Sequence, residues 1–349
     1  MNLRLAALAL SLMAAPAMAK PIAFPDRFDS IGTPVSSLKT SEGRTVHYTD
    51  TGEAGWRPML FVGGAGTSGR AAELVAFLDT LRRRLKVRII TVERNGLGDT
   101  AYDPNWTFAD YTSEVQQVLG HLGIGQFSLV AISGGGAYAG HIAAAMPERI
   151  TSWHMLAAIA QAPADSSMCS APLPALEANL TEQTGAPRVF QAKPPEGMAS
   201  KVRGFVDRAA DEGAHAYFIA GQHGDTRGVV REYRRFCDAP APVKAFPAPA
   251  YFTYGEADKV VPPAQGEFWA STVAGRVTFR RYPGEGHDVQ YRHWDQVLLD
   301  VAGYGSQTLV CTKGRARLLP GLVQAADLPK GTTAGVCAWN TKEPNHGGQ

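Results

Sequence analysis

The sequence predicts an α/β protein in which a mostly parallel central sheet is covered by helices on both faces. Short, almost wholly apolar segments alternate with stretches of helical periodicity, as is typical of parallel strands buried between helices. This alternation breaks over residues 159–243, which we interpret as an insertion that forms a cap over the sheet. Four cysteines, two in that insertion and two near the end of the chain, indicate a disulfide-tied C-terminal extension.

The predicted elements follow one another in the order expected of such a sheet. Two strands come first, and helices then separate most of the later ones. The predicted strands are Val35–Lys39, Arg44–Thr49, Met59–Val62, Val87–Val92, Phe127–Ile132, Ile150–Ala158, Ala248–Tyr254 and Val277–Tyr282, and the predicted helices are Gly69–Leu85, Phe108–Leu122, Gly135–Met146 and Trp294–Ala302. A hairpin is predicted at 308–319.

The chain begins with a pattern typical of a secretory signal peptide. Arg4 precedes a short apolar run and the small residues of Ala17-Met18-Ala19, so cleavage is expected before Lys20. The run is too short to span a hydrocarbon core of about 30 Å. We therefore expect a periplasmic or secreted protein. Its segments are a signal peptide (1–19), an α/β core in two parts (20–158 and 244–304), the cap or lid insertion (159–243) and a C-terminal extension (305–349).

The cysteines agree with export. None belongs to a C-x-x-C pair, and an even number of cysteines in an exported chain favours disulfides. Of the possible pairings we favour Cys169–Cys237 and Cys311–Cys337, because each pair then lies within its own segment. Each bridge would contribute about 3–4 kcal/mol to stability in the chain-entropy model.

Charge and motif composition exclude several classes of function. The formal net charge is only +2 and the charges are mixed along the chain, which gives no support for a nucleic-acid or membrane partner after signal cleavage. The histidines lack metal-ligand spacing, so no metal is expected. The glycine loop at 63–66 has neither the P-loop nor the dinucleotide pattern, so no cofactor is expected. The oligomeric state stays open.

Ser133 is the predicted nucleophile. Ala131-Ile132-Ser133-Gly134-Gly135 lies where an apolar strand passes into a helix, and the small flanking residues allow the sharp turn of a nucleophile elbow. A serine hydroxyl needs a base held by a third group. Asp258 and His287 follow later strands in the order serine, acid, histidine, which is the order that this arrangement requires. We predict that these three residues form a catalytic triad.

A developing oxyanion requires backbone N–H donors beside the nucleophile. Gly134 follows Ser133 and supplies the first candidate donor. The glycine loop, residues 63–66, follows the third strand and supplies the second. Within this loop Gly64 is the first choice and Ala65 is the next.

These motifs resemble the α/β-hydrolase superfamily over roughly residues 35–303. Residues 62–66 are similar to the H-G-G-P-G segment of that superfamily, with Val for His and Ala for Pro. Residues 93–100 resemble its D-R-x-G-x-G-x-S turn, and the surroundings of Asp258 and His287 match closely. The resemblance implies a serine hydrolase, because relatives that cleave epoxides or carbon–halogen bonds carry an aspartate at the elbow.

The resemblance predicts a small-molecule acyl substrate, with hydrolysis of a carboxylic ester or lactone through an acyl-enzyme on Ser133. A peptidase or amidase of the proline-aminopeptidase type with the same triad is the alternative. A non-catalytic binding protein that kept the fold is a third possibility.

Overall fold

The computed structural model describes residues 33–185 and 226–337. Its main feature is a sheet of eight strands in the order β1-β2-β4-β3-β5-β6-β7-β8. The strands are β1 Val35–Lys39, β2 Thr45–Thr51, β3 Arg57–Val62, β4 Val87–Val92, β5 Phe127–Ile132, β6 Ile150–Leu156, β7 Ala250–Gly255 and β8 Val277–Tyr282. The six neighbouring strands from β4 to β8, with β3 between β4 and β5, pair in parallel. Strand β1 pairs antiparallel with β2, and β2 pairs antiparallel with β4. The predicted α/β architecture is confirmed.

Apolar side chains explain why the sheet lies at the centre of the fold. Every residue of β5 and of β7 is buried. One apolar cluster on the sheet includes Tyr138 and Trp269, and a separate cluster includes Phe61 and Trp294. Because helices cover the faces of the sheet, a ligand-binding site is expected at the carboxyl ends of the parallel strands.

The helices differ from the predicted ones at several places. The described helices are α1 Asp79–Leu85, α2 Phe108–His121, α3 Gly135–Ala145, α4 Ser167–Ser170, α5 Leu173–Gly185, α6 Arg227–Arg235, α7 Pro263–Ser271, α8 Val289–Arg292 and α9 Trp294–Leu299. The first half of the predicted helix at 69–85 is a 3₁₀ helix, Gly69–Leu78, whose first turn packs on Glu93 and donates Gly69 N–H to that carboxylate. Helix α7 was not predicted, since its prolines and glycine obscure the helical pattern. No helix within the described ranges is long and apolar enough to cross a membrane.

The described parts of the predicted cap contain α4, α5 and α6, and none of their residues joins the sheet. A disulfide joins Cys169, in α4, to Cys237, which follows α6 closely. The rest of the predicted cap, residues 186–225, and the predicted signal peptide lie outside the described residues.

The C-terminal extension forms a second, antiparallel sheet in the order β10-β9-β11, with β9 Gln307–Thr312, β10 Arg315–Pro320 and β11 Thr332–Ala334. The predicted hairpin is β9–β10, and β11 is an additional strand. The second disulfide, Cys311–Cys337, is present. Between the strands, the Gln324 amide accepts from Arg281 N–H (3.1 Å) and donates to Phe279 C=O (2.7 Å). The extension thereby covers part of the edge of β8, which would otherwise expose unpaired backbone groups.

A buried histidine in the eight-stranded sheet makes the stability of the protein depend on pH. His154, on β6, is 1% exposed and stacks on Tyr251 with ring centroids 4.7 Å apart. Its Nε2 lies 2.8 Å from Ser152 Oγ. Burial, and secondarily the charge of Arg280, lowers the pKa of His154 to about 3. Since the unfolded chain binds this proton near pH 6.5, the free energy of unfolding falls as pH decreases from about 6.5 to about 3.

We expect the change His154→Phe, which keeps an aromatic ring against Tyr251, to reduce this acid sensitivity. Between pH 7 and pH 5 the wild-type protein should lose about 2 kcal/mol more unfolding free energy than the variant. Urea denaturation of both proteins at the two pH values measures the difference. An equal loss in both would contradict the assignment of His154.

Candidate active site

The structure brings the predicted site residues together at the carboxyl ends of four parallel strands. Ser133 directly follows β5, and the glycine loop follows β3. Asp258 lies beyond β7 and His287 beyond β8. Loops at this edge of an open α/β sheet are where ligands usually bind.

The backbone at Ser133 has the conformation of a nucleophile elbow. Its φ is +47°, in the left-handed region that non-glycine residues seldom adopt. A Cβ atom on Gly135 would lie 2.4 Å from Val62 O, so only glycine allows the helix to approach β3 this closely. Steric crowding therefore explains why the motif needs small residues. They allow the sharp turn at which Ser133 leaves the direction of the strand.

The side chains of Ser133, His287 and Asp258 form a continuous hydrogen-bonded line. Ser133 Oγ lies 2.9 Å from His287 Nε2, and His287 Nδ1 lies 2.8 Å from Asp258 Oδ2. His287 and Asp258 are 2% and 3% exposed, so bulk water competes little with either bond. In this arrangement Nε2 can take the hydroxyl proton while the carboxylate binds Nδ1–H.

Backbone donors fix the orientation of Asp258. Its Oδ1 accepts from the N–H groups of Val260 and Val261, each at 2.8 Å. Only Oδ2 then faces His287. The turn after β7 thus gives the two carboxylate oxygens different partners.

The glycine loop lies beside the elbow, and hydrogen bonds to its carbonyl groups fix the direction of its backbone N–H groups. The carbonyl oxygens of Gly63 and Gly64 accept from Arg94, at 2.9 Å and 2.6 Å, and Thr67 Oγ1 also donates to Gly64 O at 2.6 Å. In a trans peptide the N–H points opposite to the C=O. The N–H groups of Gly64 and Ala65 therefore point away from Arg94.

Gly134 and Ala65 are close neighbours. A Cβ atom on Gly134 would lie 2.9 Å from Ala65 N, and one on Gly64 would lie 3.3 Å from Ser133 Cβ. The predicted oxyanion donors Gly64, Ala65 and Gly134 thus lie around Ser133.

Two residues at this site come from the cap and were not predicted. Glu232, in α6, forms a buried ion pair with Arg94, with Arg94 Nε 2.5 Å from Glu232 Oε1. Phe236 follows α6 and lies against Gly134, since a Cβ on that glycine would be 2.6 Å from Phe236 Cζ. Arg94 lies in the turn at 93–100 that resembles the family motif, but neither cap residue carries a local sequence signal. The cap therefore forms part of the surroundings of Ser133.

The segment that carries His287 is fixed by charged neighbours. Glu285 Oε2 lies 2.8 Å from His293 Nε2 and 3.3 Å from Arg292 Nε. Burial alone would raise the pKa of Glu285, but His293 and Arg292 outweigh it and lower that pKa. Asp295, in α9, accepts a backbone hydrogen bond from Val336 at 2.6 Å, so the extension also packs near this segment.

Comparison with protein families assigns the chain to a class. Residues 59–301 match the model of the Alpha/beta hydrolase family, and the chain belongs to this family. The match spans the sheet from β3 to the helices after β8, and so contains Ser133, Asp258 and His287. Comparison with curated proteins gives no match.

Solved structures with the same fold differ in their activities. A thermophilic esterase from Thermogutta terrifontis has a TM-score of 0.59 at 17% identity, covering 78% of this chain and 97% of its own. The enol-lactonase from Burkholderia xenovorans LB400 has a TM-score of 0.60 at 18% identity, covering 77% and 99%. Epoxide Hydrolase A from Mycobacterium thermoresistibile has a TM-score of 0.56 at 15% identity, covering 78% and 98%. At these identities the likeness shows the fold alone.

Proposed function

We propose that this α/β hydrolase is a serine hydrolase that cleaves a carboxylic ester or lactone through an acyl-enzyme on Ser133. The observation that carries the proposal is the hydrogen-bonded line from Ser133 Oγ through His287 to Asp258, beside backbone N–H groups that can bind an oxyanion. Serine at the elbow favours acyl transfer to water over the reaction of an epoxide hydrolase.

Acylation begins when Ser133 Oγ attacks the ester carbonyl carbon and His287 Nε2 takes the hydroxyl proton. The carbonyl oxygen becomes an oxyanion, which accepts hydrogen bonds from Gly134 N–H and from Gly64 or Ala65 N–H. The tetrahedral intermediate then expels the alcohol, which takes the proton back from His287. In a lactone the released alcohol stays attached to the acyl group.

Deacylation repeats these steps with water as the nucleophile. His287 removes a proton from water as its oxygen attacks the acyl carbon, and Ser133 Oγ leaves with that proton. The products are the free acid and the original enzyme. Asp258 keeps its hydrogen bond to His287 Nδ1–H and stabilises the imidazolium in both half-reactions.

Among proteins of this fold, an esterase and an enol-lactonase support the ester and lactone class. An assay of the purified protein with aryl esters, aryl lactones and aminoacyl arylamides tests this class. We expect turnover of esters or lactones. Turnover of the arylamides without either would favour the peptidase or amidase instead.

We further propose that the protein is exported to the periplasm or secreted. The signal-peptide pattern at residues 1–19 and the disulfides Cys169–Cys237 and Cys311–Cys337 support this location. Disulfides persist in oxidising compartments and are rare in the cytosol.

A further inference from the structure

We propose that Glu232 of the cap helix α6 is a positioning residue, which acts through Arg94 and Gly66 to hold the glycine loop in the orientation that an oxyanion needs. This inference rests on the proposed acyl transfer at Ser133. It assigns part of the catalytic geometry to the cap, because Glu232 lies 138 residues further along the chain than Arg94.

Glu232 binds the glycine loop directly and through Arg94. Glu232 Oε1 accepts from Arg94 Nε at 2.5 Å, and Glu232 Oε2 accepts from Gly66 N–H at 2.6 Å. Glu232 and Arg94 are 3% and 2% exposed. Such a buried, charge-assisted pair is held more firmly than a surface ion pair.

Arg94 transmits this restraint to both candidate donors in the loop. Its guanidinium donates to Gly63 O and to Gly64 O, at 2.9 Å and 2.6 Å. Those carbonyls belong to the peptide units that contain Gly64 N–H and Ala65 N–H. A rotation of either carbonyl away from Arg94 would turn the corresponding donor away from its present direction, because the peptide unit is planar.

Helix α6 is itself fixed at both ends. Near its start, a Cβ on Gly228 would lie 2.7 Å from Asn95 O and from Gly96 O, so α6 packs closely on the turn that carries Arg94. Just beyond its end, Cys237 is bonded to Cys169. The position of Glu232 is therefore determined by the docking of the cap and not by the side chain alone.

The ion pair between Glu232 and Arg94 also keeps an uncompensated negative charge away from the glycine loop. A lone carboxylate near the loop would oppose an oxyanion, whereas pairing with Arg94 cancels the negative charge locally.

A merely structural ion pair would change the free energy of unfolding when broken, but it would leave the reaction at Ser133 unaffected. The two roles can therefore be separated by rate measurements on folded variants.

The test is the change Glu232→Gln, measured by the second-order rate of Ser133 phosphonylation with a fluorophosphonate and by kcat and KM for an aryl ester. In glutamine an NH₂ group, which cannot accept, replaces one of the two carboxylate oxygens, so either Arg94 or Gly66 N–H loses its acceptor. Loss of a whole oxyanion donor costs about 10²–10³-fold in rate, and misorientation should cost less. We expect both the phosphonylation rate and kcat to fall about 10–100-fold, with KM within about threefold of wild type.

A matched control separates positioning from loss of a buried charge. Asp300 forms a buried bidentate pair with Arg280, at 2.6 Å and 3.0 Å, and contacts neither Ser133 nor the glycine loop. Asp300→Asn should lower the urea midpoint yet react with the fluorophosphonate within about twofold of wild type. Thr67→Val provides a second test that keeps Glu232, because it removes the Thr67 Oγ1 bond to Gly64 O and should slow phosphonylation about 3–10-fold.

The outcomes are distinguishable. Wild-type rates in folded Glu232→Gln, or in Thr67→Val where Glu232→Gln does not fold, would overturn the positioning role. An equal fall in Asp300→Asn would also overturn it, since the effect would then be global. If wild-type Ser133 does not react with the fluorophosphonate, the proposed function fails as well, whereas normal wild-type labelling with unchanged variants rejects the role of Glu232 alone.

Discussion

Replacing Ser133 with alanine is expected to lower kcat/KM for an aryl ester by about 10⁶-fold, the loss that removal of the nucleophile causes in a known serine hydrolase. The hydroxyl is the atom placed 2.9 Å from His287 Nε2, and alanine leaves the base without a proton to take. The free energy of unfolding should change by less than about 1 kcal/mol, because only one oxygen atom is removed. Steady-state kinetics and urea denaturation measure the two effects.

The matched control is Ser271→Ala. Ser271 is an exposed serine at the end of α7 that donates a hydrogen bond to Phe268 O. Its replacement should leave kcat/KM unchanged. Ester turnover by Ser133→Ala within tenfold of wild type would reject Ser133 as the nucleophile.

Asp258→Asn is expected to lower kcat by about 10⁴-fold, and the reason lies in its backbone contacts. Val260 N–H and Val261 N–H both require an acceptor at the position of Oδ1. The amide oxygen of asparagine will occupy that position, so its NH₂ group will face His287 Nδ1. His287 must then accept at Nδ1 and carry its proton on Nε2, which cannot take the proton of Ser133.

Glu256→Gln is the control for this change, because Glu256 is an exposed acid in the same turn. It should leave kcat unchanged. Neutron diffraction of Asp258→Asn would locate the His287 proton on Nε2. A variant with kcat within tenfold of wild type would show that Asp258 does not set the tautomer.

The clustering of Ser133, Asp258 and His287 could be predicted because each of them follows a strand with a strong local signal. Ser133 comes directly after the buried strand β5, and Asp258 and His287 follow β7 and β8 at short distances. Parallel strands bring such loops to one edge of the sheet, so the order of the motifs along the chain was enough. The left-handed conformation of Ser133 also has a local cause, in the small residues around it.

The cap contribution could not be predicted in the same way. Glu232 lies in a helix rich in charged residues, where nothing local distinguishes a buried carboxylate from a solvated one. Its partner Arg94 is 138 residues away in sequence, and only the folding of the cap onto the turn after β4 brings them together. Phe236 is similar, because its contact with Gly134 depends on the path of the chain around Cys237.

The C-terminal extension shows a third limit of sequence reasoning. The hairpin of β9 and β10 could be predicted from two strand-like segments that flank a Lys313-Gly314 turn. Strand β11 is only three residues long and pairs with β9 through tertiary contacts, so it leaves too little pattern to detect. Its position near Asp295 means that the extension supports the segment after His287, a role that no motif indicated.

The most direct test of the central claim is to identify the residue that a fluorophosphonate modifies. The purified protein is treated with the reagent, digested and analysed by tandem mass spectrometry, with Ser133→Ala and Ser271→Ala treated in parallel. We predict one phosphonyl group per chain, on Ser133, in the wild type and in Ser271→Ala, and none in Ser133→Ala. Modification of another residue, or a retained adduct in Ser133→Ala, would contradict a serine hydrolase that works through Ser133.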